Sequence, residues 1–215
     1  MTIKLYGTSI SNYFSTAKAA LIEKNIEFEE VNTFPGDNPK VLALSPMGKV
    51  PYLEVDGRPL SETNVIFDYL EDVHPEPALY PSAAWDRAKA KEIIRTIELY
   101  IDFPARKHIA SVYFGQPVNE ALLEPVKAEL EKGMNALSAL AQYSPYIAGN
   151  NFGFADIEAY FQIRFACMHT KKIYDWDLIE SDSKLADYIN MVGERPSIKS
   201  VDAILQRDFA AFQSK

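Results

Sequence analysis

Residues 45–63 hold the groups best suited to grip a ligand. They read Ser-Pro-Met-Gly-Lys-Val-Pro-Tyr-Leu-Glu-Val-Asp-Gly-Arg-Pro-Leu-Ser-Glu-Thr. Pro51 stands at the entrance of an alternating apolar run, Tyr52, Leu53 and Val55. A proline there cannot donate to a strand ladder, and an X-Pro bond is the one kind that adopts the cis form at small cost. A cis Val50–Pro51 bond would turn the Val50 amide and carbonyl outward, where an extended peptide could pair with them as an added strand does. Farther on, Ser61 is expected to open a helix with Glu62 and Thr63 in its first turn, next to free amides that suit an anion. Taken alone, Ser61-Glu62-Thr63 reads as ordinary helix capping with an acid matched to the dipole. Joined to Val50–Pro51, the same residues fit a small zwitterionic peptide.

These groups must be placed by a sheet. Ile3, Leu5 and Tyr6 form a short strand ended by Gly7, and Phe14, Ala17, Ala20 and Leu21 recur at helical spacing through Lys24. Phe28 and Val31 suggest a second strand, and Asp37-Asn38-Pro39 begins a short helical turn stopped at Ser45-Pro46. Tyr52–Val55 and Arg58–Leu60 make a hairpin around Asp56-Gly57. Val65, Ile66, Tyr69 and Leu70 then line a helix ending before His74-Pro75. That order implies a mixed sheet with helices packed on it. The proline-rich stretch 74–81 reads as a linker, and beyond it strand signals vanish. Trp85, Ala88, Ile93, Ile94, Ile97 and Ile101 predict a long helix kinked or ended near Pro104. Further helices are expected over about 125–142, 155–169, 184–192 and 198–209.

Composition narrows the partners. The chain has 215 residues, a net charge of -8 and a pI near 5.0, which argues against nucleic acid because phosphate neutralisation needs a basic face. No run approaches the ~18 apolar residues of a membrane span, and the N-terminus lacks the apolar core of a signal peptide. The single cysteine, Cys167, fits a reducing cytosol. His74, His108 and His169 lack ligand spacing, so no metal site is expected.

An α/β first domain (1–76), a linker and an all-helical second domain (84–215) together resemble the cytosolic glutathione transferase family. The anchors are Lys49-Val50-Pro51, Glu62-Thr63 followed by Ile66-Phe67-Asp68-Tyr69-Leu70, and Phe154-Ala155-Asp156-Ile157. Leu21-Ile22-Glu23-Lys24-Asn25-Ile26 also looks like the end of the family's first helix. The resemblance covers essentially the whole chain. It implies a thioredoxin-like first domain, glutathione as co-substrate, an apolar electrophile as second substrate, a homodimer, a cytoplasmic location and a role in detoxification.

The thiolate is the nucleophile in such chemistry, so a donor must stabilise it near a helix start. Counted back from Thr16-Ala17-Lys18-Ala19-Ala20-Leu21, the serine of the theta- and zeta-like members falls on Ser11, which would donate a hydrogen bond to the sulfur without attacking substrate. Ser11 also reads as a helix N-cap; Ser9, and Tyr6 at the strand end, are the competing donors. Cysteine-type variants are excluded, since no cysteine occurs in the first domain. By the same resemblance Val50 would pair with the cysteinyl backbone of glutathione, Glu62 with its ammonium and Thr63 with its γ-glutamyl carboxylate. Lys49 could meet the glycyl carboxylate or stand solvated. Tyr100, Phe103 and Tyr113 would wall the electrophile pocket, although an aromatic stripe at helical spacing is more often core. Asp156 resembles the family's folding aspartate, with Gly153 where a serine or threonine usually stands. A reductase or isomerase using the same site, and a non-catalytic binding or regulatory protein of the same fold, are the alternatives.

Overall fold

The computed structural model describes residues 1–214, which divide into two compact units: Met1–Leu79 with the chain from Arg195 onward, and Tyr80–Glu194. In the first unit the order is β1 (Ile3–Gly7), α1 (Asn12–Glu23), β2 (Glu29–Asn32), α2 (Pro39–Leu42), β3 (Tyr52–Val55), β4 (Arg58–Ser61) and α3 (Thr63–Val73). The sheet runs β2-β1-β3-β4; β1 and β2 are parallel across α1, and the other pairs are antiparallel. Leu5, Leu53, Leu21, Ile66, Phe67 and Leu70 are fully buried and form the core between the sheet and its helices. The β3–β4 hairpin turns on Asp56 (φ 48°) and Gly57 (φ 78°), the two left-handed residues that a hairpin matched to strand twist needs.

One expectation fails at the end of this hairpin. Ser61 does not open a helix: it is the last residue of β4, in register with Tyr52, and Glu62 takes the cap position ahead of Thr63. Ladder pairing holds Ser61 extended, so the helix begins two residues later.

The second unit is helical: α4 (Ala84–Ile97), a π-helical turn (Glu98–Asp102), α5 (Phe103–Arg106), α6 (Ile109–Tyr113), a 3-10 turn (Glu120–Leu122), α7 (Leu123–Leu140), α8 (Phe154–Tyr174) and α9 (Ser183–Gly193). The break expected near Pro104 is this π turn, which widens the helix just before a residue that has no N–H to donate. Gly133 of α7 lies against it so closely that a Cβ would sit 2.1 Å from the Tyr100 carbonyl oxygen. Trp85, expected on the apolar face of α4, is 76% exposed. Its helix buries Ile93, Ile94 and Ile97 instead, and Trp85 belongs to the polar first turn. α8 is buried almost all round, as a central helix must be. At its start the Asp156 carboxylate accepts from Gly153 N (2.8 Å), Ile147 N (2.9 Å) and Tyr188 Oη (2.7 Å). The aspartate half of the cap is thus present without the hydroxyl half.

The last helix, α10 (Pro196–Gln213), packs along α1 within the first unit. Arg195 holds Glu23 through two hydrogen bonds of 2.6 and 2.7 Å, and Ser197 donates to the same carboxylate.

Candidate active site

β1 ends, β3 begins and β4 ends at the same edge of the sheet, because Tyr6 is in register with Tyr52 and Tyr52 with Ser61. One step beyond that register gathers the Gly7–Ser11 loop, Val50–Pro51 and Glu62–Thr63. Of the residues singled out from sequence, Pro51 and Glu62 directly adjoin the paired ends of β3 and β4, with Val50 and Thr63 next to them, and Ser11 closes the loop that leaves β1 at the same end of the sheet.

The Val50–Pro51 bond is cis. Among the described residues neither the N–H nor the C=O of Val50 takes part in a main-chain hydrogen bond, and the residue is half-buried. The loop before it is fixed from inside: buried Ser45 donates to the Lys49 carbonyl at 2.8 Å, and Gly36 N donates to the Gly48 carbonyl at 2.8 Å. Gly48 has φ 63°, and a Cβ there would meet the Gly36 carbonyl oxygen at 2.6 Å, so the turn admits no side chain. The Lys49 side chain is exposed.

Glu62 is exposed and carries φ 71°, ψ 115°, a conformation that non-glycine residues rarely adopt and that clusters at ligand clamps. No sequence signal marks this strain. Glu62 makes no side-chain cap bond to α3, whose first amides, beginning at Thr63, have no partner within the helix.

On β1's side, Ser11 is the N-cap of α1: its Oγ accepts from Phe14 N at 3.3 Å. Accepting leaves the hydroxyl hydrogen available, so capping and donation to a ligand are compatible. The rival hydroxyls are committed. Ser9 donates to Asp208 of α10 at 2.6 Å. Tyr6 donates to Glu54 at 3.3 Å and stacks on Tyr52 at 4.7 Å between ring centroids, and burial with the Glu54 charge pushes its phenol above the ordinary value.

In the second unit Tyr100 and Phe103 are 56% and 40% exposed on the π turn and α5. Tyr113 packs edge-on to His169 (5.1 Å) and beside Phe165 (6.0 Å), and burial raises its phenol pKa. His169 is core, with burial lowering its imidazole to about 4, and Cys167 is buried with its thiol pushed up to about 11. Among the described residues no three His, Cys, Asp or Glu side chains are grouped to hold a metal ion. Among the described residues no helix is long and apolar enough to cross a membrane.

Residues 5–78 match the family model described as glutathione S-transferase, N-terminal domain. A glutathione S-transferase of Pseudomonas putida strain F1 is 36% identical over 210 residues, covering 98% of this chain and 96% of its own. The chain belongs to the glutathione S-transferase family. A probable glutathione S-transferase GSTU6 of Oryza sativa subsp. japonica is 30% identical over 165 residues, 72% of this chain and 68% of the relative. Poplar glutathione transferase F1 superposes with a TM-score of 0.78 at 23% identity, covering 96% of this chain and 99% of that one, a likeness of fold. The α/β unit and the helical unit together are thus the glutathione S-transferase architecture.

Proposed function

We propose that the protein is an enzyme of this family that binds glutathione at the sheet edge and conjugates its sulfur to an apolar electrophile. The observation that supports the reading is that three unlike groups follow the same end of the paired strands: main-chain groups at Val50 without a main-chain partner among the described residues, the carboxylate and helix start at Glu62–Thr63, and an uncommitted hydroxyl hydrogen at Ser11. Val50 pairs with the cysteinyl main chain as an added strand would. Glu62 takes the ammonium of the γ-glutamyl residue, and Thr63 with its amide takes the carboxylate beside it. Lys49 stands on the side of the glycyl carboxylate. Ser11 then donates to the sulfur at the start of α1, where the helix dipole also favours the thiolate. The thiolate attacks the electrophilic carbon, a C–S bond forms, and the displaced electron pair leaves with its group or is protonated. Tyr100, Phe103 and Tyr113 are the proposed electrophile walls, and a homodimer in the cytoplasm is the proposed working form.

The test is an ultraviolet titration of bound glutathione thiolate in wild type and Ser11→Ala, with retention on immobilised glutathione as its companion. The reading requires retention of both proteins and a higher thiol pKa in the variant. Failure of the wild type to be retained would favour a non-catalytic binding protein, and an unchanged titration would move the donor role off Ser11.

A further inference from the structure

A cavity open to solvent lies in the helical unit between α7 and the connection from α8 to α9. Its volume is about 530 Å³, within the range of small-molecule sites. α7 has two working faces. Val126, Leu130, Gly133 and Leu137, at i, i+4, i+7 and i+11, are buried in the core, while residues 131, 134, 135 and 138, at i, i+3, i+4 and i+7, line the cavity. Glu131 and Met134 stand on that second face, and Trp176 and Asp182 face them from the connection.

The opposite wall is preformed. Asp177 ties it together: Oδ1 accepts from Ile179 N, Glu180 N and the Cys167 thiol, and Oδ2 from Lys171 Nζ at 2.8 Å. Burial works to raise this carboxyl, but those hydrogen bonds outweigh it and hold the group well below the usual carboxylate range. Asp182 caps α9, its Oδ1 accepting from Lys184 N and Leu185 N, so its place on the rim is fixed as well. A rigid wall spares a ligand the cost of ordering it.

The lining has one sign of charge. It contains two carboxylates and no basic side chain; the remaining polar groups are an asparagine and three serines. Glu131 has no ion-pair partner among the described residues. An indole and a thioether supply the apolar contact, and an indole is the best of the aromatic platforms for a cation. We infer that this cavity is a binding site for a small organic cation with an apolar body, of the arylalkylammonium class, held by Trp176 and Met134 and balanced by Glu131 and Asp182.

The experiment uses the full chain carrying Trp85→Phe, a change at an exposed position that leaves Trp176 as the sole indole. Benzyltrimethylammonium chloride is titrated while indole fluorescence is followed, with benzyl alcohol and benzenesulfonate as the neutral and anionic controls. The inference requires a saturable change with the cation, at least fivefold weaker with either control, and a loss of about fivefold in affinity on Glu131→Gln at low salt. Glutathione turnover by Glu131→Gln should match wild type, which keeps this site distinct from the proposed active site. No saturation in the millimolar range, equal binding of benzenesulfonate, or an unchanged affinity in Glu131→Gln would each overturn it.

Discussion

Ser11 serves two ends of one hydrogen-bonding group. As an acceptor it caps α1, and as a donor it is proposed to meet the glutathione sulfur. The two roles separate by substitution. Ser11→Ala loses both, so it should cost about 1 kcal/mol of stability and slow conjugation by about 10²-fold. Ser11→Asp keeps the acceptor but cannot donate when ionised; its melting temperature should stay near wild type while the glutathione thiol pKa rises further. Glu62→Gln should raise KM for glutathione about tenfold with kcat little changed, as loss of a charge-assisted contact made equally in ground and transition states would do. Cys167 provides a pH test with the opposite emphasis. Its folded thiol sits at about 11, above the ordinary value, because burial disfavours the thiolate and the bond to Asp177 adds to that. Native protein at pH 8 should resist iodoacetamide and become labelled only on denaturation or as pH approaches 11. At this scale Val50, Glu62 and Thr63 were legible as types and spacings. The left-handed backbone of Glu62 was not, since nothing about a glutamate announces φ 71°; neither was Ser45, whose role lies in a carbonyl four residues away.

Elements followed their periodicity closely wherever apolar spacing was long, as in α1, α7 and α8. Misses fell on short pieces whose ends are decided by neighbours. α6 and the 3-10 turn bury little of their own, and Ser61 was claimed by strand pairing over capping. The π turn illustrates the same limit. Pro104 predicted a break, but its form depends on Gly133 admitting the Tyr100 carbonyl. Gly133→Ala should therefore cost roughly 1–3 kcal/mol by overpacking, read as a shift in denaturant midpoint without a change in m. The π turn also carries Glu98 and Asp102 toward α8, each paired with an arginine, Arg95 and Arg106. Glu158 of α8, fully buried, is raised well above its ordinary pKa, mainly by burial and then by those two charges. A raised folded pKa means stability that is complete below the unfolded value and declines as pH climbs toward the folded one. Glu158→Gln removes this dependence, so its stability relative to wild type should grow from pH 4 to pH 8 in paired urea melts.

For the whole molecule, the order of sheet, linker and helices was readable because each step changes the period of the hydrophobic pattern. The allegiance of α10 was not. Its helical pattern matched those before it, and only the Arg195–Glu23 and Ser9–Asp208 bonds reveal that it folds onto the sheet unit. Arg195→Met should lower stability by about 1–2 kcal/mol, measured by thermal melting, since it leaves the nearly buried Glu23 carboxylate without its cation and, among the described residues, with only the Ser197 hydroxyl as donor. The same arrangement has a consequence for how the chain is made. α1 leaves the ribosome early, yet the helix that covers its outer face follows only after the entire second unit. At about 5–20 residues per second, the newborn sheet waits several seconds or more with that face bare. Through this interval the nascent chain is a natural client for chaperones, because the sheet unit cannot complete its packing until residues 196–213 have been made.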